Sequence, residues 1–341
     1  MSTHNSLWAA YKLRWNRRRL LWRSWRKRRQ LSVVQDGTDA IQTKDILLFC
    51  TLRNEALRLP YFLEYYRKLG VRHFLIVDNG SDDGTAKVLQ GQQDVSVWRT
   101  TDSYKLSRFG MDWLGYLQMR YGAGHWCLTV DTDELLVYPH MDTASLAQFT
   151  DWMTAQGHAA LGAMMLDLYP KGPVADQSYH AGQDPLEVIP WFDGAGYRHK
   201  FQSKLRNIWL QGGPRDRVFF AQQPKRAPTL NKIPLVYWRR GYCYVTSTHQ
   251  MLPRGLNHVF EQQGATGPTG ALLHTKFLPS IVEKSAEEKQ RGQHFANSAL
   301  YEAYYDGLVN NPDFWTNSSC RYEGWQQLVA LGLIAKGTWQ G

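Results

Sequence analysis

The chain has 341 residues, 43% hydrophobic and 21% charged, a balance that excludes a disordered or collagen-like polymer and fits a core domain with appendages. No stretch approaches the roughly 20 uninterrupted apolar residues of a transmembrane helix, and Cys50, Cys127, Cys243 and Cys320 lie too far apart for a zinc site or a disulfide-stapled secreted module, so reduced thiols in a cytoplasmic protein are expected. The net charge of +10 is local: residues 1 to 30 hold ten Lys and Arg and no acid, leaving 30 basic against 30 acidic residues elsewhere and no uniformly basic domain for nucleic acid.

Within that basic arm Trp8, Tyr11, Trp15, Trp22 and Trp25 recur at helical spacing along one side. Arg17 to Arg19 and Arg26 to Arg29 interrupt any apolar run of the length a secretory signal needs. Such a helix suits an anionic membrane surface, each basic residue contributing about 1 kcal/mol, and this places the protein peripherally on the cytoplasmic face of a membrane. A disordered basic tail and RNA contact by Arg and Trp stacking are the competing readings.

From residue 41 short apolar runs alternate with helical segments. Strands are predicted at Ile46 to Cys50, Phe74 to Val77, Val95 to Trp98, His125 to Val130 and Leu161 to Leu166. Helices are predicted from Pro60 to a left-handed cap at Gly70, over Thr85 to Gln90, and over Phe109 to Tyr121. This alternation implies a mostly parallel α/β sheet flanked by helices, with ligands beyond the carboxyl ends of its strands. The polar clusters Thr51 to Glu55, Asp78 to Asp83 and Asp131 to Glu134 each follow a strand directly, which puts three polar loops at one edge. After Pro139 the chain is rich in Gly and Pro. Beyond Pro279 the charged Glu283, Lys284, Glu287, Glu288 and Lys289, then Phe295, Tyr301, Tyr304 and Tyr305, indicate a helical appendage. The expected organisation is a basic arm over 1–40, a core over 41–279 that divides into 41–140 and 141–279, and a helical region over 280–341.

Asp131 and Asp133 form a DxD pair at a strand end, and such oxygen ligands suit Mg2+ or Mn2+ with positions left open for substrate phosphates. Asp in a turn also serves local hydrogen bonding, which is the structural alternative. The run LLFCTLRNEALRLPYFLEYYRKLGVRHFLIVDNGSDDGT, followed at residues 125 to 136 by HWCLTVDTDELL, resembles the nucleotide-sugar half of the family 2-like glycosyltransferases of GT-A fold, in the bacterial branch carrying NE, VDNGSxDGT and DxDE. The likeness is strong over 45–138. It is looser over 139–280, where GGPRDR, KIPLV and LLHTKFL look like elements of the same branch.

The resemblance implies that Arg53, Asn54, Glu55, Asp78, Asp82 and Asp83 line the pocket of a nucleoside diphosphate sugar. It implies that Asp131 and Asp133 hold the metal on the diphosphate, that Glu134 supports their loop, and that His274 completes the coordination. The turn reading of residues 79–84 and a core role for His274 stand beside these. An inverting transfer also needs a base for the acceptor hydroxyl. Asp216 in GGPRDR comes first, with Asp167 and Asp193 as alternatives; the equal competing reading is that Arg215 and Arg217 bind phosphate bidentately with Asp216 as their ion-pair partner. The expected function is metal-dependent transfer of a sugar to a hydroxyl of a glycan or lipid-linked acceptor, as in polysaccharide biosynthesis. The alternatives are a nucleotidyltransferase, which the glycine-free CTLRNEALRLP disfavours, and an inactive scaffold on membrane or RNA.

Overall fold

The computed structural model describes residues 3–260, 267–282, 284–285 and 302–341. Helix α1 (Thr3–Lys27) leads into β1 (Ser32–Gln35); then β2 (Ile46–Leu52), α2 (Leu59–Leu69), β3 (Val71–Asp78), α3 (Thr85–Leu89), β4 (Val95–Arg99), α4 (Met111–Leu117) and β5 (Trp126–Thr129) alternate as predicted. Next come β6 (Glu134–Val137), α5 (Leu146–Ala155), β7 (Ala160–Asp167), β8 (Trp191–Asp193), the β9 (Arg198–Gln202) and β10 (Asn207–Gln211) hairpin, and α6 (Gly213–Phe219). The described chain finishes with β11 (Asn231–Tyr237), β12 (Cys243–Thr246), β13 (Gln250–Leu252), β14 (Thr269–His274), α7 (Glu302–Val309), β15 (Ser319–Arg321) and α8 (Trp325–Ala330).

Nine strands build one sheet in the order β1-β4-β3-β2-β5-β11-β7-β14-β6. β2, β3, β4, β5, β7 and β14 share a direction, and β1, β6 and β11 run against it. The α/β class with a mostly parallel sheet flanked by helices is therefore the one expected. Because side chains alternate along a strand, Leu48 and Cys50 pack on one face with Phe62 and Tyr66 of α2 and Phe149 of α5, while Leu47 and Phe49 pack on the other with Trp113 and Leu117 of α4. Burial on both faces is why β2 reads as an unbroken apolar run.

The directions also fix what reaches the functional edge. The carboxyl ends of β2, β3, β5, β7 and β14 lie there, and the reversed strands bring their first residues to it, Glu134 of β6 and Lys232 of β11. Register completes the placement. His274 lies opposite Asp167 across the β14–β7 ladder and opposite Glu134 across the β14–β6 ladder.

Both ends of the described chain depart from simple appendages. α1 is helical as expected, but it docks on the body: Leu20 and Leu13 pack with Leu205, Cys243 and Leu252. Ser24 approaches Gly115 of α4 so closely that a Cβ there would lie 2.7 Å from its hydroxyl, and Arg23 pairs with buried Asp112 at 2.6 Å. The C-terminal region contains helices, yet it also supplies β15 as a partner of β8 and places Trp325, Leu328, Ile334 and Trp339 in the main core. Glu283, Glu287, Glu288, Lys289, Phe295 and Tyr301 lie outside the described residues, as does the side chain of Tyr305.

Gly70 and Gly110 hold left-handed conformations at the ends of α2 and α4. Gly70 (φ 106) closes α2 with open space where a Cβ would stand, whereas Gly110 (φ 76), at the start of α4, would put a Cβ 2.7 Å from Thr51 Oγ1. Gly70→Ala is expected to cost about 1 kcal/mol from backbone strain alone, and Gly110→Ala roughly 3 kcal/mol or more because a steric clash is added. Urea unfolding of the two variants checks the order; equal costs would show that Thr51 does not crowd the turn.

Candidate active site

The edge is built from two groups of side chains. In the first, the loops after β2 and β3 are stitched to each other. Asn54 donates to Asp82 Oδ1 at 2.8 Å and accepts from the Asp82 amide, its own amide donates to Ser81 Oγ, and the Glu55 amide donates to Thr85 Oγ1. Asp78, 3% exposed, accepts from both the amide and hydroxyl of Ser81. Asp83 accepts from the Thr85 amide and hydroxyl and from the Ala56 amide, so its carboxylate acts as the turn's own clasp, and these bonds lower its pKa against its partial burial. Arg53 lies 3.8 Å from Asp82, whose side chain is largely exposed. The bonding of this segment is that of Asx-type turns at the edge of the sheet.

The second group centres on His274. Its Nδ1 lies 2.6 Å from Asp167 Oδ1 and its Nε2 3.3 Å from Asp133 Oδ2. The turn carrying Asp133 is tied to the same strand end, since the Thr275 amide donates to the Asp133 carbonyl at 2.7 Å. Burial disfavours an imidazolium here, but Asp133, followed by Asp167, outweighs it and raises the His274 pKa. Burial would likewise raise the Asp133 carboxyl, yet His274, with Arg58 and Lys276 behind it, holds it well below the ordinary range. Asp167 is 2% exposed; against burial, the Arg215 charge and the His274 hydrogen bond hold it at about 2. Arg215 Nε reaches its second oxygen at 2.7 Å, so both Asp167 oxygens are engaged.

Asp131 points outward, its side chain about half exposed, with Oδ2 3.6 Å from Lys232 Nζ. Glu134 is buried, takes Lys232 at 2.7 Å and accepts from the Asp131 amide, which is the loop-supporting role expected of it. Burial, only partly relieved by Lys232, raises the Glu134 pKa. Glu55 joins the two groups: it pairs with Lys284 at 2.7 Å and Arg58 at 3.4 Å, and Arg58 in turn donates to the carbonyls of Thr275 and Lys276.

The three acids put forward as bases are each held by an arginine. Asp167 takes Arg215, Asp193 takes Arg217 together with the Tyr169 hydroxyl, and Asp216 takes Arg198 in a two-pronged contact of 2.5 and 2.8 Å. Arg215 and Arg217 thus pair with Asp167 and Asp193, not with the Asp216 between them.

Sequence reasoning missed the buried cations Arg58, Lys232 and Lys276, each at most 9% exposed. The available signals were the KIPLV and LLHTKFL segments, each with a lysine at the edge of an apolar run. Burial, with Arg215 adding to it, brings Lys276 down to about 8 in spite of Asp133 and Asp167.

For a divalent ion, no group of three or more His, Cys, Asp or Glu gathers as a ready-made site among the described residues. Asp133 and His274 fit as a pair of ligands. An oxygen and an imidazole nitrogen converge within 3.3 Å, and the other ring nitrogen is fixed by a carboxylate, an arrangement typical of metal-binding histidines. Asp131, two residues before Asp133, carries a further oxygen donor, but it points outward and is not gathered with the pair.

No known protein family and no curated protein matches the chain. Among solved structures it is similar to a mannosyltransferase from Pyrobaculum calidifontis in complex with GDP-Man and Mn2+, at 18% identity and a TM-score of 0.28, over 46% of each chain. It is also similar to a putative glucose-1-phosphate thymidylyltransferase from Bacillus anthracis in complex with sucrose (8% identity, TM-score 0.30, 84% of this chain and 93% of that one). A third is a UDP-glucose pyrophosphorylase from Acinetobacter baumannii (10% identity, TM-score 0.29, 78% of this chain and 99% of that one). These likenesses are too slight to carry any functional inference.

The start of β11, which presents Lys232, rests on half-buried His249. Its Nδ1 donates to the Asn231 carbonyl at 2.6 Å, and its own carbonyl accepts from Asn207 and Asn231. Burial, with the Lys232 charge, pushes its pKa from 6.5 to about 3. The unfolded chain takes up this proton as pH falls through 6.5 while the fold refuses it until about 3, so the stability it supplies is complete above pH 7 and declines below 6.5. Between pH 7 and pH 5 this residue is expected to remove about 2 kcal/mol of stability. His249→Gln should flatten the slope by that amount in urea unfolding, and an unchanged slope would show that His249 protonates within the fold.

Proposed function

We propose that the chain is a divalent-metal-dependent glycosyltransferase that takes a nucleoside diphosphate sugar and passes the sugar to a hydroxyl of a glycan or lipid-linked acceptor. The observation that carries this reading is the convergence of Asp133 and His274, the latter fixed by Asp167, beside the stitched loops after β2 and β3 and ringed by buried cations.

The nucleoside would lie against Arg53, Asn54 and Asp78, with Asp82 at the rim and the second Asp78 oxygen accepting from ribose or base. Asp83 holds the loop. Asp131, Asp133 and His274 would hold Mn2+ or Mg2+, which when bound offsets charge building on the departing diphosphate. Lys276, Arg58 and Lys232 add fixed positive charge from dry positions, where it acts with little screening. Asp167 serves as the orienting partner of His274, since it is buried between that ring and Arg215, whereas Asp216 keeps part of its side chain exposed. In an inverting displacement the acceptor oxygen bonds to the anomeric carbon as the bond from that carbon to the phosphate oxygen breaks. Asp216, kept in place by Arg198, takes the hydroxyl proton.

The test is to incubate the full chain with nucleoside diphosphate sugars and Mn2+ and to follow transfer or donor hydrolysis. Asp133→Ala and His274→Ala are expected to abolish metal-dependent turnover, and Asp167→Asn to lower it about 10–100-fold through a misoriented histidine. Undiminished turnover in both ligand variants would overturn the reading. Pyrophosphate release from a nucleoside triphosphate and a sugar phosphate, without transfer from any nucleotide sugar, would replace it with nucleotidyl transfer.

A further inference from the structure

Helix α1 has two faces of different chemistry. Its inner face, with Leu13, Leu20 and Ser24, is taken up by the body. Its outer face carries Trp8, Tyr11, Trp15, Trp22 and Trp25, each between 46 and 61% exposed, interleaved with exposed Lys12, Arg14, Arg18, Arg19 and Arg26. Cations and rings are mixed, not segregated: Lys12 lies 5.2 Å over the Trp8 ring, Arg26 4.7 Å over Trp22 and, just past the helix, Arg28 3.7 Å over Trp25. At about 1.5 Å per residue the helix offers a strip on the order of 37 Å long.

The strip continues into the body. Exposed Val33 and Val34 of β1 follow after a single turn, and Leu106, 68% exposed, belongs to the residue whose carbonyl accepts from Arg23. Of the twelve large hydrophobic side chains exposed among the described residues, eight fall in this region. Such concentration marks a binding surface, whereas single exposed apolar residues would not.

We infer that the outer face of α1, with Val33, Val34 and Leu106, is a docking surface for an anionic phospholipid bilayer, along which the helix lies in plane. Charge complementarity requires an anionic partner, since residues 1–30 contain ten Lys and Arg and no acid while the remainder of the chain is balanced. The apolar members select lipid over RNA. Aliphatic Val33, Val34 and Leu106 contribute nothing to base stacking, but they partition with indole rings into the boundary between headgroups and acyl chains. The inner face is already occupied, so the helix meets the bilayer as a preformed element and bears no folding cost on binding.

Docking would also orient the cleft. Gln30, at the end of the strip, donates to Asp102 Oδ1 and accepts from the Trp113 indole, and the Asp102 carbonyl accepts from Asn79 in the loop after β3. Hydrogen bonds through Gln30, Asp102 and Asn79 thus join the lipid-facing strip to the loop after β3. The inference stands whether or not the edge of the sheet transfers sugars.

The experiment is sedimentation of the full chain with vesicles of phosphatidylcholine alone and of phosphatidylcholine mixed with phosphatidylglycerol. The protein is expected to pellet with the anionic vesicles, to stay in solution with the neutral ones, and to be released by salt. Each basic residue is worth roughly fivefold in partitioning, so Arg18→Glu/Arg19→Glu/Arg26→Glu should lower binding on the order of a hundredfold or more. Trp15→Ser/Trp22→Ser/Trp25→Ser should lower it at least about tenfold and remove the vesicle-induced blue shift of tryptophan fluorescence. All six positions are exposed, and unchanged thermal melting controls for folding. Equal binding to neutral vesicles, or unchanged binding by either triple variant, would overturn the proposal. So would tight binding to single-stranded RNA without vesicle binding, or a dimer in solution that the tryptophan substitutions dissociate.

Discussion

A buried histidine held between carboxylates from two separate parts of the chain is the contact on which the rest of the edge depends. His274 faces Asp167 through one ring nitrogen and Asp133 through the other. In a low-dielectric setting none of the three is comfortable alone, because a buried unpaired charge is far costlier than a paired one. Each therefore fixes its neighbours. Asp167 enlists Arg215, Asp133 lies within the influence of Arg58 and Lys276, and Arg58 ties the β14 end to the loop after β2. The electrostatic requirement becomes a geometric one, met only when β7, β14 and the 131–134 turn stand in the observed register.

Strand direction makes that register possible. Six strands with a common heading deliver their carboxyl ends to one edge, and an all-parallel sheet would put only carboxyl-terminal strand residues there. β11 enters the other way, so Lys232 stands at its beginning, buried against Glu134 at 2.7 Å and within 3.6 Å of Asp131, both carried by the 131–134 turn. The result is an alternation of signs in a confined volume, the arrangement that the proposed chemistry on a diphosphate would use.

The first half of the sheet was legible in the sequence because its information is local. Apolar runs bounded by turn residues gave β2, β3 and β4; Gly70 capped α2; and the acids at strand ends pointed to the edge. Asp133 and His274 are also legible, the one in a DxD pair after a strand and the other directly after an apolar run. The sequence did not reveal the non-local facts. The antiparallel entry of β11, the pairing of Arg215 with Asp167 in place of Asp216, and the return of Trp325 and Trp339 into the core all join residues far apart in the chain, and periodicity carries no trace of such partnerships. The docking of α1 escaped for a different reason. Among the described residues its packed side is marked by Leu13, Leu20, Leu21 and Ser24, a thin stripe beside the aromatic one.

One turn of α6 carries a consequence for how this chain can diverge. Arg215, Asp216 and Arg217 are consecutive, yet each pairs with a separate element: the end of β7, the start of β9 and the end of β8. Inverting any one sign strands a partner on a different strand, and no single compensating change repairs more than one contact. Genetic drift that freely rewrites the surrounding loops would have to pass through doubly impaired intermediates to alter this tripeptide, so its alternation of charges is expected to outlast much of the sequence around it.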